Sequence, residues 1–132
     1  MENELRIALI DWLRTDAVLA EAVNIVAEEH PRQVSAPSIG LVASASTDWS
    51  TKTEHGREVR IALQYRSRGD EPAEAGRVVA AIERRVESLP RRQPGWQVVS
   101  ITFLRARAEQ RPRQDRAILL EYRFRMLSGE LP

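Results

Sequence analysis

The sequence predicts an α+β domain: a four-stranded, mostly antiparallel sheet with two main helices packed on one face, in the order α, ββ, α, ββ. Two stretches, one at the N-terminus and one after residue 70, carry a single apolar stripe at helical spacing. Each is followed by stretches in which apolar and polar residues alternate, as in half-buried strands. Because each helix has one apolar side, both most simply cover the same sheet face. At 132 residues, the chain is most simply one domain spanning 1–132.

The first helix is predicted from an apolar stripe that repeats every three or four residues. Its members are Leu5, Ala8, Leu9, Trp12 and Leu13. Thr15 and Asp16 are residue types that cap helix starts, so a second short helix is predicted to continue to about Val23. Trp12 is expected in the core or at its edge, because an aromatic residue at helical spacing usually serves packing.

The first hairpin is predicted from residues 38–46, which alternate loosely, and from a clear strand that begins near residue 57. The residues of this second strand expected in the core are Val59, Ile61, Leu63 and Tyr65. Those expected on the outer face are Arg60, Ala62, Gln64 and Arg66. A slip of one residue would exchange the faces and cost roughly 1.5 to 3 kcal/mol for each large side chain exposed. The register of this strand is therefore well determined.

The loop between these strands, residues 47–56, is longer than the roughly two to five residues usual in hairpins. Long loops of this kind tend to be functional or disordered. The candidate protein-interaction residues of this loop are Asp48, Trp49, Lys52 and Glu54. A tryptophan and a lysine in a solvated loop are explained by a contact with another molecule, and the alternative is that Trp49 folds back onto the core. Gly56 is expected to supply a positive φ where the loop ends.

The second main helix is predicted to begin after Gly69, with Asp70 as its cap and Pro72 in its first turn. Its apolar stripe consists of Ala75, Val78, Val79, Ile82, Val86 and Leu89. Pro90 ends it, since proline cannot continue a helix.

The last two strands are predicted to form the second hairpin. Residues 91–95 are expected to be a turn, and Trp96 opens the first of the two strands. Residues 105–116 are expected to form the hairpin turn, because they are rich in arginine and contain Pro112, and the last strand begins near Ala117. The residues of these strands expected to face inward are Val99, Ile101, Phe103, Ile118, Leu120, Tyr122, Phe124 and Met126.

Charge is distributed unevenly, although the net charge is only +1. Residues 1–54 contain nine acidic and four basic residues, or −5, whereas residues 55–132 contain ten acidic and sixteen basic residues, or +6. The candidate basic sheet face consists of Arg60, Arg66, Arg123 and Arg125. This face is either an ordinary solvated surface, a surface near nucleic acid, or a contact with an acidic patch of a neighbouring subunit.

No catalytic, cofactor-binding or metal-binding motif is found in the sequence. The chain has no cysteine, and neither His30 nor His55 has a second histidine at metal-ligand spacing. We therefore expect neither an enzyme nor a cofactor. The aromatic side chains are expected to point inward, so the stacking platform of an RNA-recognition module is missing and only sequence-independent phosphate contact remains. Charged residues interrupt the N-terminal apolar stretch, so neither a signal peptide nor a membrane span is expected, which fits a cytoplasmic protein.

Several stretches resemble a known family. These are LRIAL and DAVLA in the N-terminal helices, APSI at 36–39 and, above all, DWSTKTEHGRE at 48–58. With the helix and the two strands that follow in the same order, the chain resembles small tailed-phage and prophage proteins that act as tail terminators or head–tail joining proteins and also occur in gene transfer agents. Relatives often carry a glycine in the last hairpin, where this chain has RPRQD at 111–115.

The resemblance implies a structural protein whose subunits form a ring that is typically hexameric; a subunit that is a monomer before assembly is compatible with this. Such a ring caps the finished tail tube, contacts the major tail tube protein and presents a surface to the head completion or connector protein, with DNA passing close by. Its implied location is the cytoplasm of the bacterial host during assembly, and then the virion or gene-transfer-agent particle. The competing hypothesis is a monomeric adaptor or a weak, sequence-independent nucleic-acid-binding domain.

Overall fold

Four long strands form the body of the fold in the computed structural model, which describes residues 1–28, 36–68, 72–110 and 116–129. The helices are α1 (Glu2–Arg14), α2 (Ala17–Ala22) and α3 (Pro72–Glu87). The strands are β1 (Val26–Ala27), β2 (Ser38–Asp48), β3 (Gly56–Ser67), β4 (Arg92–Gln93), β5 (Trp96–Gln110) and β6 (Arg116–Ser128). The predicted cap Asp70 lies outside the described residues.

The sheet has six strands in the order β1-β2-β3-β6-β5-β4 and curls into a half-barrel. Its strands are antiparallel except for β1, which pairs parallel to β2. The predicted four-stranded sheet and the simple order α, ββ, α, ββ are therefore wrong. The two missed strands contain two residues each, too few to show an alternation, and β4 lies in the stretch predicted as a turn. They exist because neighbouring strands offer hydrogen-bonding partners.

The central strand β3 has the predicted register, with Val59, Ile61, Leu63 and Tyr65 buried. Ile61 pairs with Ser44 of β2 on one side and with Tyr122 of β6 on the other. The outer face of β3 is less exposed to solvent than the alternation alone predicts, because Ala62 and Gln64 are buried there. Because the sheet is curled, neighbouring strands come closer together over one face, and side chains on that face lose contact with solvent.

Both long helices pack on the inner face of the sheet. Leu5 and Leu9 of α1 join Val78 and Ile82 of α3 in one core cluster with the inner residues of β3 and β6. The helices are also joined at Trp12, whose Nε1 donates to the backbone oxygen of Arg85 at 2.9 Å. The Arg85 guanidinium lies over the Trp12 ring, 3.5 Å from its centroid, a cation–π contact. Trp12 is thus partly buried at the edge of the core, as predicted.

The α2 helix follows α1 after a short break, as predicted. The Asp16 carboxylate caps α2 by accepting from the Leu19 N–H at 3.1 Å. The same carboxylate lies 3.5 Å from Arg84 and 3.9 Å from Arg85. One buried side chain therefore holds the start of α2 against the end of α3.

The β5–β6 hairpin extends further than predicted. Strand β5 continues to Gln110, so most of the predicted turn at 105–116 is strand; residues 111–115 lie outside the described part of the chain. All side chains from Phe103 to Ala108 are exposed. Phe103 was expected in the core, yet it is 42% exposed and touches the buried Tyr122 ring edge-on at 5.6 Å. Val99 was also expected inside, but it lies in a β-bulge and is exposed.

The role of Gly56 differs from the predicted one. Positive φ values occur at Gly95 and Gly129 among the described glycines, and not at Gly56. A methyl group on Gly56 would instead overlap the carbonyl oxygen of Trp49 and lie 2.9 Å from that of Met126. Glycine is required here because two backbone segments approach it closely.

A pair of glycine substitutions tests this packing. Gly76→Ala is expected to raise the free energy of unfolding by about 0.5–1 kcal/mol, because Gly76 is exposed inside α3 and an added methyl group meets nothing within 4 Å. Gly56→Ala is expected to lower it by about 1–3 kcal/mol through overlap with the backbone. Urea denaturation measures both. A Gly56→Ala protein as stable as the wild type would contradict the close approach.

Candidate protein-interaction surface

The β2–β3 loop, residues 49–55, is held by its own hydrogen bonds. The Ser50 hydroxyl donates to Asp48 Oδ1 at 2.7 Å and accepts from the Gly56 N–H at 3.0 Å. The Thr51 N–H donates to the Glu54 oxygen at 2.9 Å, and the Glu54 N–H donates back to Thr51 Oγ1 at 3.0 Å. These bonds close a compact turn with a defined shape. The bond from Ser50 also lowers the pKa of Asp48.

Trp49 does not project from this loop but is half-buried. The Arg125 guanidinium lies 5.4 Å from the centroid of its ring. Arg125 Nε in turn donates to Glu58 Oε1 at 3.0 Å. One residue of the candidate loop site and one of the candidate basic face are therefore in contact. Residues 50–55 are exposed, and we define the tip of the loop as Lys52, Thr53 and Glu54.

The outer face near this loop carries charges of both signs. Arg60 lies opposite Arg123, and Glu58 lies opposite Arg125, in the β3–β6 ladder. Glu58 Oε1 is 3.0 Å from Arg125 Nε and 3.9 Å from Arg123 Nε, so it offsets the repulsion between neighbouring arginines. We call the set Glu58, Arg60, Glu121, Arg123 and Arg125 the mixed-charge face.

Arg66 does not belong to this group. It is six positions along β3 from Arg60, roughly 20 Å at the rise of a strand, and pairs with Ala117. Three of the four predicted basic residues therefore lie together and one lies apart. Glu58 was missed as a partner in the sequence, although it shares the alternation of Arg60.

A groove of about 510 Å³ crosses the outer face over the four long strands. It is lined by Ala43, Ser44, Ala45, Arg60, Ile61, Ala62, Leu104, Arg105 and Glu121. Arg105 forms a hydrogen-bonded ion pair with Glu121 on its rim. Arg105 was missed because it lies in the stretch predicted as a turn, and Leu104 comes directly before that stretch. No local signal marks them, since their position depends on the length of β5.

Comparison with known proteins gives this surface a context. A family model described as "Tail completion protein gp17" matches residues 7–127 of the chain. The chain belongs to the tail completion protein gp17 family. The predicted resemblance to tail-completion proteins is thereby confirmed.

The structure of this tail completion protein is also similar to 19 chains in solved structures. One is a chain from the virion of a native gene transfer agent particle, 27% identical in sequence and with a TM-score of 0.77. The match covers 94% of this tail completion protein and 95% of that chain. Among curated proteins, none matches the sequence.

Within residues 1–28, 36–68, 72–110 and 116–129, no three histidine, cysteine or carboxylate side chains are grouped as metal ligands; His30 lies outside these ranges. No helix in the described part of the chain is long and apolar enough to cross a membrane. The hydrogen bond and positive charge of Arg105 hold the pKa of Glu121 below its ordinary value.

The Arg105→Gln variant tests this ion pair. We expect the pKa of Glu121 to rise toward its ordinary value, because the charge-assisted hydrogen bond and the positive charge of Arg105 are both removed. A depressed pKa stabilises the folded state above the unfolded pKa, and this stabilisation is lost as pH falls through the folded pKa. The stability difference between wild type and variant should therefore shrink in acid. NMR titration of the carboxyl group measures the pKa, and an unchanged value would contradict the pairing.

Proposed function

We propose that this chain is a tail terminator or head–tail joining subunit: a structural, non-enzymatic protein that forms a ring, hexameric in the assembled particle, on the end of the tail tube. The observation that carries the proposal is the match over nearly the full length of both chains to a component of a gene transfer agent virion. The family match over residues 7–127 points the same way. Both matches therefore extend over most of the chain and not over one segment of it.

A ring needs two different surfaces that meet head to tail. The exposed acidic residues Glu4 and Asp11 lie on α1, whereas Arg105 and Arg107 are exposed on β5, and each of the four is also in an ion pair within the subunit. The charge asymmetry of the sequence is thus carried by separate elements of the fold. Complementary patches of this kind orient subunits and speed their association more than they add affinity. The partners proposed are other copies of the chain, the major tail tube protein and the head completion or connector protein.

The loop tip is the proposed contact with the tail tube. Hydrogen bonds within the loop give the tip a set shape before any partner is bound, which reduces the entropy lost on binding. Several copies in one ring would engage the tube together, so a weak individual contact becomes strong through avidity. Trp49 supports this shape through its cation–π contact with Arg125, which anchors the loop to β6.

The mixed-charge face is proposed to meet a neighbouring protein rather than DNA. Glu58 lies within 4 Å of two of its arginines, and Glu121 pairs with Arg105. These carboxylates reduce the positive potential that phosphate binding requires. The monomeric nucleic-acid-binding alternative therefore has less support than a structural role. The proposed locations are the host cytoplasm during assembly and the finished particle.

Electron microscopy of the purified protein mixed with tail tubes tests the proposed function. We expect tubes of uniform length with a ring on one end, because a terminator stops further addition of tube subunits. Tubes that remain open and elongate with added tube protein would contradict the proposal. Co-sedimentation with the tubes, compared with the protein alone, measures the same binding in solution.

The loop tip is tested by reversing one exposed charge. Lys52→Glu is expected to lower tube capping by roughly tenfold or more, since each ring would present several repulsive contacts. Arg77→Glu, a charge reversal on the exposed side of α3, is the matched control and should cap normally. Thermal unfolding of both variants reports on the fold. Normal capping by Lys52→Glu would remove the loop tip from the contact.

A further inference from the structure

The sheet has two long edges without strand partners among the described residues. Strand β1 pairs with β2 only at Ile39 and Gly40, and β4 pairs with β5 only at Trp96 and Gln97. We call residues 41–48 the β2 edge and residues 99–110 the β5 edge. Each presents a row of backbone N–H and C=O groups for which the described ladder provides no partner strand.

The exposed apolar side chains concentrate on these edges. Four of the six large exposed apolar residues in the described chain lie there: Val42, Val99, Phe103 and Leu104. Natural edges are usually protected by charges or proline. Residues 41–47 of the β2 edge and 99–104 of the β5 edge contain neither, whereas Asp48 ends the β2 edge and Arg105, Arg107 and Glu109 lie in the rest of the β5 edge. The unprotected parts of the two edges favour pairing with another strand.

We propose that the β5 edge pairs with the β2 edge of a second copy of this chain, so that the sheet continues from subunit to subunit. This inference rests on the proposed function and names the contact that closes the ring. The side-chain sizes on the two edges favour a second copy of the chain as the partner. The β2 edge is rich in small residues (Ala43, Ser44, Ala45 and Ser46), whereas residues 101–105 of the β5 edge, ITFLR, are larger. Large side chains in this part of the β5 edge can therefore lie against small ones of the β2 edge.

Strand direction fits the proposed pairing. Strands β2, β3, β6 and β5 are each antiparallel to the next, so β2 and β5 run in opposite directions. A β2 strand added beside β5 by continuing the sheet is therefore antiparallel to it, as in every long pair within the subunit. Two different edges meet in this contact, which is the head-to-tail type that a ring requires.

The backbone groups that would form the new ladder can be identified. The Ser128 N–H donates toward the β3 side, to the His55 oxygen, so alternate residues of β6, including Leu120, also turn their N–H groups to β3. Ala106, the β5 partner of Leu120, then turns its N–H away from β6. On the other edge, the Trp49 N–H donates inward to the Gly56 oxygen, so the N–H groups of Ser46 and Ser44 point outward.

Cysteine cross-linking tests the pairing directly, because the chain has no cysteine of its own. Double variants combine Ser44→Cys or Ser46→Cys with Phe103→Cys or Ala106→Cys, which covers adjacent registers. On mild oxidation, at least one pair should yield a ladder of covalent oligomers from capped tubes. The four single variants are the matched controls and should yield none. Dimers from a single variant would show that like edges meet, and would overturn the proposal.

A proline substitution tests the same edge without cross-linking. Ala106→Pro removes a backbone N–H that points away from β6, so the hydrogen bonds between β5 and β6 are unaffected. Ala106→Val keeps this N–H. The two variants should have similar thermal stability. Capping is nevertheless expected to fall roughly tenfold or more for the proline variant and to stay normal for the valine variant. Equal capping by both would overturn the pairing.

The two proposals fail in different ways. Tubes that are capped while no cysteine pair cross-links would overturn the edge pairing and retain the proposed function. A ladder of cross-linked oligomers from double variants that never cap tubes would support the edge pairing and reject the proposed function.

Discussion

The pairing of β3 with β6 is the constraint on which the rest of the structure depends. It runs the whole length of β3, from Gly56 opposite Leu127 to Ser67 opposite Arg116. One set of alternate side chains from both strands enters the core beneath α1 and α3. A slip of one residue would place Tyr122 and Phe124 in solvent and arginines in the core, so the burial of apolar area holds the register.

The surface chemistry follows from the same pairing. Because Glu58 and Arg125 are opposite each other, a carboxylate lies between guanidinium groups that would otherwise repel. Because Gly56 is pressed between the backbones of Trp49 and Met126, the end of the loop is tied to both neighbouring strands. The bond from the Ser128 N–H to the His55 oxygen, 2.8 Å long, adds a second tie. The loop that the sequence predicts to be an interaction site is therefore fixed to the sheet at its end.

The main surface features of this protein are open sheet edges, a groove on the outer face and ion pairs, and these features fit a structural role. The chain belongs to a tail completion family, and its relative in a gene transfer agent virion matches it almost end to end. The exposed groups are polar at the loop tip and mixed in charge on the outer face, and the exposed apolar residues Val42, Val99, Phe103 and Leu104 lie on the open edges.

The sequence by itself determined the three helices, the four long strands in outline and the inner face of β3, because each has a periodic apolar pattern. It also carried the family resemblance and placed Arg60, Arg123 and Arg125 on one face. Tertiary structure decided the two short strands, the extension of β5 past Phe103, the burial of Ala62 and Gln64, and the contact of Trp49 with Arg125. These features depend on which segments become neighbours in space, and local periodicity does not encode that choice.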